Sequence, residues 1–224
     1  MNMNHQEETA ADYDKEGKEV VKTADYKKAC ECFEKARHIY QKQKDPINEA
    51  FQCFNIAQCY QNLKMPDEAI KAYAASYELI KGNHTLAGQQ AMVLNNMGHL
   101  HVGVKQFDQA LNCFNKAVNL SETLGDTLGK ALQLQNVGSV YRDSHQSEKA
   151  LKAYYDSIAL CEKIGDKMLT ADQCTNIAYI YSVDKKPGDA LTWYKKALGL
   201  YEELNNERKA ALTRQNINHL KIQS

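Results

Sequence analysis

The chain has 224 residues, 43% hydrophobic and 25% charged, with 28 basic side chains balancing 28 acidic ones. That is the composition of a folded chain with ample core-forming residues, and it offers no basic excess to mark nucleic acid or an anionic membrane as the natural partner. No apolar run approaches the roughly 20 residues of a membrane span, and the opening "MNMNHQEETAADYDKEG" is polar and acidic, unlike a secretory signal. The expectation is a cytoplasmic protein without membrane insertion, its seven cysteines reduced.

A flexible tail is expected over residues 1–9, followed by five helix pairs over 10–45, 46–84, 85–125, 126–165 and 166–205. The first pair carries Gly17, Ala29, Phe33, Ala36 and Ile39 in the frame that the later pairs repeat. The second introduces Asn55, with Ala57 two residues on, then Ala69, Tyr73, Ser76 and Leu79. The third has Asn96, Gly98, Ala110, Phe114, Ala117 and Leu120; the fourth has Asn136, Gly138, Ala150, Tyr154, Ser157 and Leu160; the fifth has Asn176, Ala178, Ala190, Tyr194, Ala197 and Leu200. The asparagine steps are 96 − 55 = 41, 136 − 96 = 40 and 176 − 136 = 40, so phase slips by one residue, near Gly82-Asn83-His84. In each second helix, Ala, aromatic and small residues at i, i+4 and i+7 form one apolar stripe. Pro66 and Pro187 mark second-helix starts, since proline suits a first turn. Gly125-Asp126 and Gly165-Asp166 read as a helix C-cap followed by the next helix start. The segment 206–224, with Asn216 and a bulky polar Asn218 where earlier pairs carry a small residue, reads as a capping helix.

Such self-similarity decides the fold before any residue-level argument. The recurrent small residue, Tyr, Ala, aromatic, Ala resembles the tetratricopeptide repeat over nearly the whole chain. Its period, longer than the usual length of about 34, is similar to the long-repeat branch of kinesin light chains, the mitotic-spindle Leu-Gly-Asn repeat adaptor and the bacterial Rap-type regulators. The resemblance implies an all-α right-handed solenoid of five helix pairs plus a cap, with the first helices lining a concave groove.

Asparagine is a poor helix former, yet Asn55, Asn96, Asn136, Asn176 and Asn216 recur inside first helices. At 100° per residue the stripe through Leu132, Asn136, Ser139 and Asp143 lies about 180° from the packing stripe of Leu134, Val137, Gly138 and Tyr141, which places the asparagines on the groove side. They resemble the asparagine ladder in the repeat arm of O-GlcNAc transferase. An amide offers donors and an acceptor, which suits the main chain of an extended or helical segment of another protein. Neighbours expected on the same face are Phe51, Phe54, Gln58 and Asn62; Met92, Asn95 and His99; Leu132, Gln135, Ser139 and Arg142; and Tyr179, Leu212, Gln215 and His219. The other reading is that the asparagines tie adjacent first helices together, and the two are compatible.

Nothing in the sequence supports catalysis, a cofactor or a metal. There is no phosphate loop, G-x-S-x-G or H-E-x-x-H pattern. Cys30 and Cys32, at i and i+2, cannot converge on one ion from one helix face, and His101 stands where other pairs carry Tyr60, Tyr141 and Tyr181. Arg142 alone is cationic on the inner stripe of the asparagine-bearing pairs, and Lys15, Lys18 and Lys22 with Asp14 read as a solvated first helix, so no clamp for a chain-terminal carboxylate is expected. The function that follows is a non-enzymatic protein-binding adaptor or assembly factor. The rivals are a peptide-responsive Rap-like regulator and a homo-oligomer built by edge-to-edge self-association.

Overall fold

The computed structural model describes residues 8–223, and among these every regular element is helical. In chain order they are α1 (Ala10–Lys22), α2 (Tyr26–Gln43), α3 (Pro46–Asn62), α4 (Pro66–Ile80), a 3₁₀ turn (His84–Leu86), α5 (Ala87–Gly103), α6 (Phe107–Thr123), α7 (Thr127–Asp143), α8 (Ser147–Ile164), α9 (Lys167–Val183), α10 (Pro187–Glu203) and α11 (Glu207–Gln223). The chain divides into two compact units, one ending at Cys113 and the other beginning at Phe114, with the division inside α6. In the first unit each of α1 to α4 packs on its successor, and the same holds for α7 to α10 in the second. Most of the expected tail, residues 1–7, lies outside the described residues. Thr9 is the N-cap of α1, in a reciprocal capping box with Asp12.

The helix starts are written locally. Asp25, Asp45, Asp126 and Asp166 each accept a hydrogen bond from the backbone N–H three residues on, satisfying a donor that the helix leaves open. Pro46, Pro66 and Pro187 occupy first turns. The helix ends are less legible. Gly125 and Gly165 adopt the expected left-handed conformation, but so do Ala24, Lys44, Lys64, Lys105, His145, Lys185 and Asn205, at φ between 53° and 60°. After α3, α5, α7 and α9 the same bond recurs, from the N–H of Met65, Gln106, Gln146 and Lys186 back to the carbonyls of Tyr60, His101, Tyr141 and Tyr181. This closed last turn satisfies an orphan carbonyl and holds a side chain in a region that costs it about 1–2 kcal/mol. The slipped phase falls on the 3₁₀ turn, where buried Gln90 donates to the carbonyls of Ile80 and Asn83.

The core follows the columns. Ala29, Ala69, Ala110, Ala150 and Ala190 are all fully buried, as are Phe33, Tyr73, Phe114 and Tyr154 one turn on or nearly so. The small column before them lets these rings close on the first helix. A Cβ added to Gly138 would lie 2.7 Å from the Tyr154 ring, and one added to Gly17 would lie 2.6 Å from Phe33. Ser76 and Ser157 donate to the carbonyls of Ala50 and Ala131, each at 2.8 Å, tying second helix to first. Cys30 and Cys32 point to different sides of α2, yet both are buried, because α2 packs on α1 and on α3. Cys59 fills a cluster with Ala29, Phe33 and Ile56. At the far end, Ile217 of α11 packs with Ala178 and Tyr194, and Ala210 joins the cluster of Tyr154, Ile177 and Tyr201.

Candidate functional site

The asparagines are half-buried on the flank of each first helix, and the amides of Asn55, Asn96, Asn136 and Asn176 are engaged. Asn55 Nδ2 donates to Gln52 Oε1 at 3.4 Å and to Asp14 Oδ1 at 3.5 Å. Asn136 Nδ2 donates to Gln133 Oε1 at 3.3 Å, and Asn176 Nδ2 to Gln173 Oε1 at 3.2 Å. Asn96 has Val93 where the others have glutamine, and its Nδ2 turns instead to the hydroxyl of Tyr73 on α4, at 3.3 Å.

The glutamines three residues before the asparagines are a feature that the sequence reading missed. Gln52 and Gln173 are buried, and each reaches the preceding first helix: Gln52 Nε2 donates to Asp14 Oδ1 at 3.1 Å, and Gln173 Nε2 to Gln135 Oε1 at 2.8 Å. Both steps span 38 residues, so Asp14 and Gln135 occupy one repeat position. The signal was present as Gln at 52, 133 and 173, but Val93 interrupts it and its partner differs between repeats.

The remaining expected residues separate by what they touch. In the first unit Lys18, Asn55, Gln58, Asn62 and Asn96 line a cleft of about 390 Å³ with Phe33 and Tyr73 among its walls. In the second unit Arg142, Asn176, Tyr179 and Asn216 line a cleft of about 390 Å³, and Gln135, Asn176, Leu212 and Asn216 line a second of about 280 Å³. Met92, Leu132, Tyr179 and Leu212 are 41–59% exposed. His99, Gln215 and His219 are also exposed, and Phe51 and Asn95 are half-buried. Phe54 packs edge-on against Tyr73, with ring centroids 5.4 Å apart. Ser139 departs from the expected direction. Its hydroxyl meets Tyr154 of α8 at 3.1 Å, because the aromatic ring reaches across the small residue at Gly138.

The charges on these faces are paired. Lys18 bridges Asp14 at 2.5 Å, Arg142 bridges Asp143 at 2.8 Å, and Lys209 bridges Asp172 at 2.6 Å. Arg142 also lies 5.9 Å from the centre of the Tyr179 ring. His101 is buried with Nδ1 2.7 Å from Gln106 Oε1, a packed ring with its hydrogen bond met. Burial pushes the Cys174 thiol up to about 11 and that of Cys59 up to about 12, which keeps both protonated at neutral pH. Among the described residues no three His, Cys, Asp or Glu side chains are grouped to hold a metal ion, and no helix is long and apolar enough to cross a membrane.

A stack of paired helices with alanine, aromatic and small-residue columns defines a helical repeat protein. The tetratricopeptide repeat pattern matches residues 49–123, 89–163 and 130–203, together more than half of the chain, and the protein belongs to that family. No curated protein matches it in sequence. Among solved structures it is similar to the apo form of RapI (TM-score 0.78, 15% identity, 91% of this chain and 74% of that one). It is also similar to BtubC (BKLC) from P. vanneervenii (TM-score 0.73, 17% identity, 84% and 78%) and to MamA (TM-score 0.64, 19% identity, 85% and 96%). At these identities the likeness is one of fold.

Proposed function

We propose that this protein is a non-enzymatic, cytoplasmic interaction module, an adaptor or assembly factor, that holds an extended or helical segment of a partner protein against the asparagine-bearing face of its first helices. The observation that carries the reading is that Asn55, Asn96, Asn176 and Asn216 border open clefts with further amide and aromatic side chains around them. An amide at a cleft wall can hold a main chain without reading its sequence. Exposed Met92, Leu132, Tyr179 and Leu212 beside them supply apolar contact for particular side chains. No nucleic acid partner is proposed, since basic and acidic residues balance. Affinity capture with the wild-type chain and with an Asn55→Ala/Asn96→Ala/Asn176→Ala variant tests the reading. Partners lost from the variant while its fold persists support it, and an identical captured set refutes it.

A second reading has its own observation. The chains Asn55–Gln52–Asp14 and Asn176–Gln173–Gln135 join adjacent first helices, so the same amides also hold the stack. A Rap-like response to a signalling peptide, supported by the likeness to RapI in fold, would add a change of repeat packing on binding. Self-association would show as a size that rises with concentration.

A further inference from the structure

The repeat builds one position twice, and its own rings fill only the second copy. In the second unit Trp193 of α10 meets Tyr155 of α8, with ring centres 5.5 Å apart. Trp193 and Tyr181 pack on the cluster that holds Cys174 and Ile177. The hydroxyls of Tyr155 and Tyr181 are 3.0 Å apart, and Lys196 Nζ lies 5.3 Å from the centre of the Trp193 ring. Three repeat steps earlier, at 193 − 72 = 121 residues, the floor is the same: Cys53, Ile56 and Tyr60 of α3 stand where α9 has Cys174, Ile177 and Tyr181. The walls differ. Ala72 replaces Trp193, Ala75 replaces Lys196 and Glu34 replaces Tyr155. What these smaller side chains leave is a cleft of about 260 Å³ between α2 and α4, floored by α3.

We infer that this cleft is a docking site for the side chain of a tryptophan on a partner protein. The second unit supplies the occupant's chemistry, since an indole already packs on the same floor there. The size agrees: about 260 Å³ falls below the roughly 300–1,000 Å³ of small-molecule pockets, and it suits one large side chain, the kind of anchor that dominates protein interfaces. An enclosed indole N–H needs an acceptor, and Glu68, half-buried on the α4 wall, offers a carboxylate. The charges at the rim cancel. Arg37 is paired with Glu34 at 2.8 Å on the α2 wall, and Lys71 stands beside Glu68 on the other, which suits a neutral ring. The chain has no spare indole of its own for this place. Trp193 is its one tryptophan and is packed in the second unit, so a second copy would have to unpack its own core to supply one. The asparagine face is separate, because Cys53 and Asn55 stand about 200° apart around α3 at 100° per residue.

The test uses the full chain, with indole as the first probe. Titrated into isotope-labelled protein, indole should give saturable nuclear magnetic resonance shifts at the Ala72 and Ala75 methyl groups. Ala72→Trp, which copies the second unit, and Ala75→Leu, each shown to be folded by its melt, should weaken that binding about tenfold or more. Glu68→Gln should weaken indole binding roughly two- to tenfold and leave N-methylindole, which has no N–H, unchanged. The Asn55→Ala/Asn96→Ala/Asn176→Ala variant should bind indole as wild type does. No saturable shift at the two alanines, or indole binding that the filled variants retain or the asparagine variant loses, overturns the site. The second probe is a set of peptides selected on the wild-type chain from a random-peptide phage library, with counter-selection on Ala72→Trp or, if that variant does not fold, on Ala75→Leu. They should share a tryptophan whose replacement by alanine weakens binding about tenfold or more. Indole binding without any such peptide overturns the protein partner, and so does self-association that indole competes away, which would make the occupant a second copy.

Discussion

Gly138 offers a sharp test of the repeat frame. An added Cβ would lie 2.7, 2.8 and 3.0 Å from three atoms of the Tyr154 ring, and that ring is fully buried with its hydroxyl on Ser139. Ordinary carbon–carbon contact is about 3.5 Å or more, so the ring would have to retreat by roughly 0.8 Å into a packed cluster. Overpacking of this kind costs about 1–3 kcal/mol. Gly138→Ala recovers about 1 kcal/mol of helix propensity, so the net loss should be roughly 0–2 kcal/mol. Gly138→Leu adds three more carbons to the same space and should lose at least the upper figure. At about 2–4 °C per kcal/mol for a chain of this size, the leucine variant should melt about 4–8 °C or more below wild type by circular dichroism. Ala57 and Ala178 hold the same repeat position, so Ala178→Gly should destabilise by about 1 kcal/mol, opposite to the result of a steric clash. A leucine variant that melts with wild type would show that the small residue does not meet the ring.

Other substitutions test other joints. Gln173→Leu should cost more than Asn176→Ala, about 1–3 kcal/mol in denaturant melts, because it strands the amide of Asn176 and the oxygen of Gln135, whereas the asparagine change regains helix propensity. Truncation after Glu203 removes Ala210 and Ile217 from Tyr194 and Tyr201, and light scattering should show aggregation; a stable, dispersed truncation would make α11 dispensable. Lys64→Gly should raise the melting temperature by relieving a side chain at φ 60°. The raised thiols of Cys59 and Cys174 set a pH dependence. Folding holds them protonated above their ordinary value of 9.0, so their stabilising effect is complete below pH 9 and declines as pH rises toward 11 and 12. Melting temperature measured against pH should fall across that range, more shallowly in Cys59→Ala relative to its own neutral-pH value.

The periodic parts of this molecule were legible because they repeat with residue type. Alanine, aromatic and small columns at 40-residue steps encode a packing surface, and Asp126 and Gly165 encode helix ends in the residues themselves. What escaped was carried by residues whose ordinary reading is bland. Lys64, Lys105 and Lys185 read as solvated charge, although each holds a left-handed turn. Gln52 and Gln173 read as the polar side of an amphipathic helix, although both are buried against the preceding repeat. Their partners, Asp14 and Gln135, share a position but not a chemistry, so no column announces them. The direction of Ser139 was lost for a geometric reason: a wheel drawn for one helix omits the reach of a tyrosine from the next.

All seven cysteines are buried and none is in a disulfide, which makes the chain keep a record of its own history. Oxidants and alkylating agents act on accessible thiolates, and the native molecule shows them none. A chain still being made, or one heated and cooled, shows all seven at once. Damage is then written while the chain is open and persists after the agent has gone, since refolding encloses the altered sulfur away from any reductant. Two preparations with identical spectra could therefore differ in thiol count. The difference would report how often each had unfolded in air, well before either lost its capacity to fold.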